Sequence, residues 1–287
     1  MSKKKNCYVD YDYENLYDLE NKLLWKIDEH LVKQLNKGMV YATKEVYAGE
    51  QLEVEVYPEF TKKQLEELEK KNKVKKEIKD KNNDKKARKE FTRLANHNFH
   101  NGDYWLTLTY SNENYPADID EAVKNMHNYI RRVNRARKKE GLDNAKYMYV
   151  TEWKEGKNGV RCHHHILINK GLGMDKLEEL WTKGRRNQVR KLKKDEYGLT
   201  GMANYLTKSP QGKKRWCSSR NLEKPVVRKN HYKFKRSKVN KIVQDFRGTI
   251  CQVMESMYKN YIFTDSKLYL NEYNNGFYIY TRMRRKE

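Results

Sequence analysis

Paired cysteines, long apolar runs and a phosphate-cradling glycine loop are all missing from this 287-residue chain. Its four cysteines, Cys7, Cys162, Cys217 and Cys251, are scattered without a C-x-x-C pair. That argues against a disulfide scaffold and against a Cys-rich structural zinc site, and leaves reduced thiols. No stretch approaches the roughly 20 apolar residues of a spanning helix. The first residues, Met1-Ser2-Lys3-Lys4-Lys5-Asn6-Cys7, lead into an acidic, Tyr-rich segment rather than a signal-peptide core. A cytoplasmic protein with no membrane partner is the expectation. Gly212-Lys213 lacks both the upstream glycine and the following hydroxyl of a G-x-x-x-x-G-K-S/T loop, so no ATPase domain is indicated. Internal repeats are absent too.

What the chain has in excess is positive charge, 62 Lys+Arg against 39 Asp+Glu, a formal net charge of +23. A polyanion is the natural partner, nucleic acid ahead of a membrane surface, because Lys and Arg that neutralise phosphates release condensed counterions.

Along the chain, residues 16–35 predict a helix, and 41–48 with 52–57 a hairpin around Gly49-Glu50. Residues 61–90 are dominated by Lys and Glu and read as a solvated helix or charged linker. From residue 91 the texture changes. Residues 104–110 alternate Trp/Thr/Thr against Leu/Leu/Tyr, as a strand does. Residues 118–139 carry Ile119, Val123, Met126, Ile130 and Val133 at helical spacing, with Arg131, Arg132, Arg135 and Arg137 mostly off that stripe. Residues 147–153 and 160–169 predict two strands joined by a turn. Asp175 is expected to cap a short helix, a basic stretch covers 183–194, and 200–208 predicts a helix stopped by Ser209-Pro210. A second hairpin is expected around Asn274-Asn275-Gly276. The order strand, helix, hairpin, helix, helix predicts an α+β domain with a largely antiparallel sheet and helices on one side.

The chemistry concentrates in Cys162-His163-His164-His165-Ile166-Leu167-Ile168. Strand alternation sends His163 and His165 to one face and His164 to the other. A pair of imidazoles on one rigid face suits a divalent metal, although histidines that merely pack are the competing reading. A turn centred on Lys157-Asn158 sets Glu152 opposite His163 and adds a carboxylate, whereas a one-residue slip turns it away. Mixed nitrogen and oxygen ligation suits Mn2+ and tolerates Mg2+. In a basic protein such a site polarises a phosphodiester, and a tyrosine supplies the nucleophile. Tyr205 is the candidate, with Lys208 three residues on; the same spacing also occurs at Tyr41/Lys44 and Tyr232/Lys235.

Leu106-Thr107-Leu108-Thr109-Tyr110, then His163-His164-His165-Ile166-Leu167-Ile168, then Tyr205-Leu206-Thr207-Lys208 resemble the three ordered motifs of HUH endonucleases, specifically the rolling-circle replication initiators of phages and plasmids. The resemblance spans about residues 91–225. Arg215-Trp216-Cys217-Ser218-Ser219-Arg220-Asn221-Leu222 is similar to a segment of phage-type initiators of Gram-positive hosts. The resemblance implies a ferredoxin-like or RRM-like HUH domain, a central antiparallel sheet with flanking helices, plus N- and C-terminal extensions over 1–90 and 226–287. It also implies a metal held by His163, His165 and Glu152, and single-stranded DNA nicked at a replication origin by Tyr205 with help from Lys208. The 5′ phosphate then joins the tyrosine, and the free 3′ hydroxyl serves a polymerase, with a host helicase opening the duplex. Thr109 either contacts the DNA backbone or only pairs in the sheet. One departure is His164 in place of a bulky hydrophobe, and a frame that ligates through His164 breaks the apolar periodicity that follows. Another is that Tyr197 precedes the helix, which leaves a single tyrosine. An HUH transposase or relaxase, and a non-catalytic DNA-binding protein, are the alternative readings.

Overall fold

A computed structural model describes residues 40–63, 76–154, 159–185, 187–208, 215–271 and 276–287. In chain order the first elements are β1 (Val40–Ala48), β2 (Gln51–Glu59), α1 (Lys76–Asn98), β3 (Tyr104–Thr109) and α2 (Ile119–Lys139). They are followed by β4 (Tyr147–Lys154), β5 (Val160–Ile168), α3 (Met174–Glu179), β6 (Gln188–Lys191), α4 (Thr200–Leu206) and β7 (Cys217–Ser218). The last are β8 (Val226–Asn230), α5 (Arg236–Gln244), α6 (Phe246–Met257), β9 (Tyr261–Asn271) and β10 (Gly276–Arg285). The chain divides into two compact units, one of Asp84–Lys224 and one that joins Met1–Asn83 to Pro225–Glu287. The helix expected over 16–35 and the turns at 155–158 and 272–275 lie outside the described residues.

In the joined unit, the hairpin predicted around Gly49-Glu50 forms, with Gly49 at φ 63, where a side chain would be strained. Its two strands sit inside a five-stranded antiparallel sheet of order β8-β1-β2-β10-β9. Alternation sends Leu52, Val54 and Val56 to one face, where they meet Val239, Ile242 and Val243 of α5 and Ile250 and Met254 of α6. Glu45 is buried beside this core. Its carboxylate accepts from Tyr258 Oη at 2.7 Å, Tyr47 Oη at 2.9 Å and Lys233 Nζ. Burial alone pushes the carboxyl up, but these donors outweigh it and hold Glu45 below its ordinary pKa.

The Asp84–Lys224 unit is a second five-stranded antiparallel sheet, of order β6-β3-β5-β4-β7. Helices cover both of its faces rather than one. On one face Ala122, Met126, Tyr129, Ile130 and Val133 of α2 pack on Leu106, Leu108, Tyr149, Ile166 and Ile168. On the other, Phe91 and Ala95 of α1 and Leu199, Ala203 and Leu206 around α4 pack on Met148, Val150 and Leu167. The reason is written in β5: Ile166 and Ile168 point one way and Leu167 the other, so each face needs an apolar cover.

Local details also depart from the periodicity. Asp118 caps α2 by accepting from Glu121 N at 2.7 Å. At the other end Arg137 is buried, because its guanidinium donates to Asp143 O at 2.6 Å and Lys170 O at 3.1 Å. In α3 the N-cap is Gly173, and Asp175 lies within the first turn. The segment 215–222 straps the outer edge of the sheet. There β7 pairs with β4, Trp216 Nε1 donates to Ala87 O at 3.0 Å and its ring meets Phe91 at 5.8 Å.

The end of β3 is held from outside the sheet. Trp181 Nε1 donates to Thr109 O at 2.6 Å, and Asn187 Oδ1 accepts from Thr109 N at 3.2 Å. Gly184 passes so close that a Cβ there would lie 2.1 Å from Thr109 O. Because the obstacle is backbone, Gly184→Ala is expected to destabilise the protein by roughly 1–3 kcal/mol, read as a lower midpoint in urea unfolding. An unchanged midpoint would mean that the close approach is not required.

Candidate metal centre

The site is built by the pairing of β5 between two neighbours. Its register with β4 sets His163 against Glu152 and His165 against Val150. The register with β3 sets His163 against Thr109 and His165 against Thr107. Opposed residues share a face, so Glu152, Thr107, Thr109, His163 and His165 all lie on the side covered by α1 and α4.

Three ligand-type atoms converge there. The Nε2 atoms of His163 and His165 are 3.1 Å apart. Glu152 Oε2 lies 3.4 Å from the first and 3.8 Å from the second. Two ligands bound at about 2.1 Å and at right angles to one cation stand about 3.0 Å apart, so the histidine pair fits a divalent ion. The other ring nitrogens are engaged. Nδ1 of His163 lies 2.8 Å from Arg161 O, and Nδ1 of His165 lies 3.1 Å from Thr107 Oγ1. A carbonyl partner makes Nδ1 of His163 the protonated nitrogen and leaves its Nε2 lone pair directed into the site. Burial, followed by the charge of His163, pushes His165 down to about 4, which keeps it in the neutral, ligating form. Together the three residues suit one cation on mixed nitrogen and oxygen ligands.

His164 is on the other face and is fully buried. Its Nε2 is 2.8 Å from Tyr110 Oη and its Nδ1 is 2.9 Å from Thr151 Oγ1, so both nitrogens are satisfied inside the core. Burial, with smaller contributions from His163 and His165, pushes it down to about 3. The alternative frame through His164 is therefore closed by geometry.

Tyr205 stands at one end of the site, 60% exposed. Leu199, Ala203 and Leu206 form the buried stripe of α4, which leaves Tyr205 on the flank of the helix. Its ring lies 5.8 Å from that of His165 and 6.1 Å from that of Trp105. The helix expected over 200–208 ends at Leu206 with Thr207 as its C-cap, so Lys208 falls beyond α4 and does not share a helical face with Tyr205. Its backbone N donates to Tyr205 O at 3.3 Å and its carbonyl accepts from Arg88 at 3.0 Å. Tyr232 belongs to the other unit. Sequence reasoning passed over Trp105, the aromatic bridge between His165 and Tyr205, although it shares the face of Thr107 and Thr109 in the alternation of β3.

Residues 103–210 match a family model for replication-associated proteins of the ORF2 type, within the unit that carries this site. The match supports a Rep-type HUH domain over these residues. No curated protein and no solved structure matches the chain. None of the described helices is long and apolar enough to cross a membrane.

Calorimetric titration with Mn2+ is expected to show one site, lost in His163→Ala and His165→Ala and weakened by roughly 10- to 100-fold in Thr107→Val. Equal affinities in all four proteins would remove the metal centre. In metal-free protein, nitrogen NMR is expected to find His164 neutral down to about pH 4. Its folded pKa lies below the roughly 6.5 of the unfolded chain, so this contribution to stability is complete above pH 6.5 and declines as pH falls toward about 3.

Proposed function

We propose that this replication-associated domain is a metal-dependent endonuclease and strand transferase that nicks single-stranded DNA at a rolling-circle origin. The observation that carries the reading is the phenol ring of Tyr205 set against His165, at the edge of the convergent Glu152, His163 and His165.

In this reading the Tyr205 hydroxyl gives up its proton to solvent and its oxygen bonds to the scissile phosphorus while the bond from phosphorus to the 3′ oxygen breaks. The electron pair stays on the 3′ oxygen, which takes up a proton. The 5′ phosphate is left on the tyrosine and a free 3′ hydroxyl on the other strand end. A bound Mn2+ or Mg2+ would supply Lewis-acid polarisation of the phosphate. Glu152, His163 and His165 hold it on rigid strands, and the partners of both Nδ1 atoms keep the imidazoles in place. Lys208 brings a compact ammonium to the developing charge, and Thr109 contacts the DNA backbone. The bond energy stored in the phosphotyrosine allows the reverse transfer to reseal the strand without ATP, while host helicase and polymerase open and extend the duplex. The replication-associated family favours an origin over the transposon end or transfer origin used by relatives with the same chemistry.

Incubation with 5′-labelled and 3′-labelled single-stranded oligonucleotides in Mn2+ is expected to give a covalent protein–DNA adduct that maps to Tyr205. Tyr205→Phe should abolish the adduct, a loss of at least about 10³-fold, and retain DNA binding. An adduct that persists in Tyr205→Phe overturns the assignment of the nucleophile. Binding without cleavage, unaffected by chelator, favours the non-catalytic reading.

A further inference from the structure

Beside His163 an open cavity of about 700 Å³ enters the same domain. Thr109, Ser111, Asn112, Arg161, His163 and Arg185 are among the residues that line it. Its size lies within the roughly 300–1,000 Å³ of small-molecule sites. The guanidinium of Arg161 is fixed from two directions: it lies 4.8 Å over the ring of Tyr115, and its Nη2 donates to Asn112 Oδ1 at 2.9 Å. That bond engages the oxygen of Asn112 as an acceptor, and its amide nitrogen is a donor by type. Ser111 is pinned by its backbone N to Lys183 O at 2.9 Å.

The order along β5 gives this cavity its meaning. Tyr205 sits over His165 and over Trp105, which pairs with Leu167 farther along the strand. The cavity starts at Thr107, which pairs with His165, and runs past Thr109 to Arg161 and His163, so most of its lining lies toward the opposite end of the strand. Nucleophile and cavity therefore flank the histidine pair. In-line displacement at phosphorus requires the entering and leaving oxygens to lie on opposite sides. An oxygen that enters from Tyr205 expels a 3′ oxygen toward the cavity.

We infer that the cavity seats the nucleotide immediately 5′ of the cleaved bond, the one that carries the departing 3′ hydroxyl. Ser111 and Asn112 read its base, and Arg161 and Arg185 hold its own 5′ phosphate. This rests on the reading of Tyr205 as the nucleophile. It assigns to Ser111, Asn112, Arg161 and Arg185 a role in sequence choice, and it sets that choice on the strand end that is released rather than on the end that stays attached.

The test uses the full chain and oligonucleotides randomised on both sides of the cut, with the adduct sequenced. Wild type is expected to prefer one base at the position 5′ of the cut. Asn112→Ala should flatten that preference by about tenfold and leave the position 3′ of the cut unchanged. An abasic substitution at the 5′ position should slow adduct formation by about tenfold in wild type and little further in Asn112→Ala. Arg161→Gln should raise KM with kcat retained, and Arg161→Lys should recover part of the loss. Retained Mn2+ binding identifies the variants that are folded. An altered preference at the 3′ position, or an unaltered 5′ preference alongside a normal adduct, overturns this inference and leaves the nucleophile standing. If wild type forms no adduct, the functional reading falls and the cavity assignment falls with it.

Discussion

The pairing of β5 between β3 and β4 is the constraint from which the site follows. Hydrogen bonds on both edges hold the strand, but its register is chosen by the apolar residues after the histidines. Ile166 and Ile168 fill one core while Leu167 fills the other. Burial of each such side chain is worth about 1.5–3 kcal/mol. A slip by one residue would send all of them to the wrong face and rotate the imidazoles with them. The Glu152, His163 and His165 cluster therefore inherits its geometry from hydrophobic packing, and its precision costs no dedicated scaffold.

His164 shows how a polar residue survives in such a strand. Tyr110 and Thr151 satisfy its two nitrogens at hydrogen-bonding distance, and the rings of Tyr110, Tyr149 and Trp181 close around it. The triple histidine is thus two devices in one sequence, a pair able to hold a cation on one side and a core hydrogen-bond relay on the other. The division extends to the helices. The face under α2 carries packing and the His164 relay, while the face under α1 and α4 carries packing at one end and the Glu152, His163 and His165 cluster at the other.

Much of this arrangement was legible in residues alone. Period two in the apolar run separates His163 and His165 from His164, and a turn centred near Lys157-Asn158 is enough to bring Glu152 opposite His163. Lys208 was less legible, because α4 closes at Leu206 and the periodicity of Tyr-x-x-Lys does not reveal a helix end. The burial of Arg137 was not legible because a period shows only an angle off the apolar stripe, whereas its guanidinium answers to three carbonyls that follow the helix. Helices on both faces were implied by Leu167 between two isoleucines, a signal too short to weigh against the order of elements. The longest-range feature, β2 paired with β10, has no local signature because pairing partners more than 200 residues apart leave no joint pattern in either segment.

That pairing has a consequence for biosynthesis. The hairpin of β1 and β2 emerges from the ribosome long before β10 and β9 exist to cover its edge. At about 5–20 residues per second, the interval between Glu59 and Gly276 lasts roughly 10–40 s. During it the Asp84–Lys224 unit, whose strands all lie within that interval, can complete its sheet as an autonomous insertion. The hairpin meanwhile has no β10 to pair with, and an open strand edge is a template for pairing with other chains. Vectorial synthesis thus gives this protein an order of assembly in which the unit that carries the Glu152, His163 and His165 cluster is complete before the sheet formed by its two flanks can close.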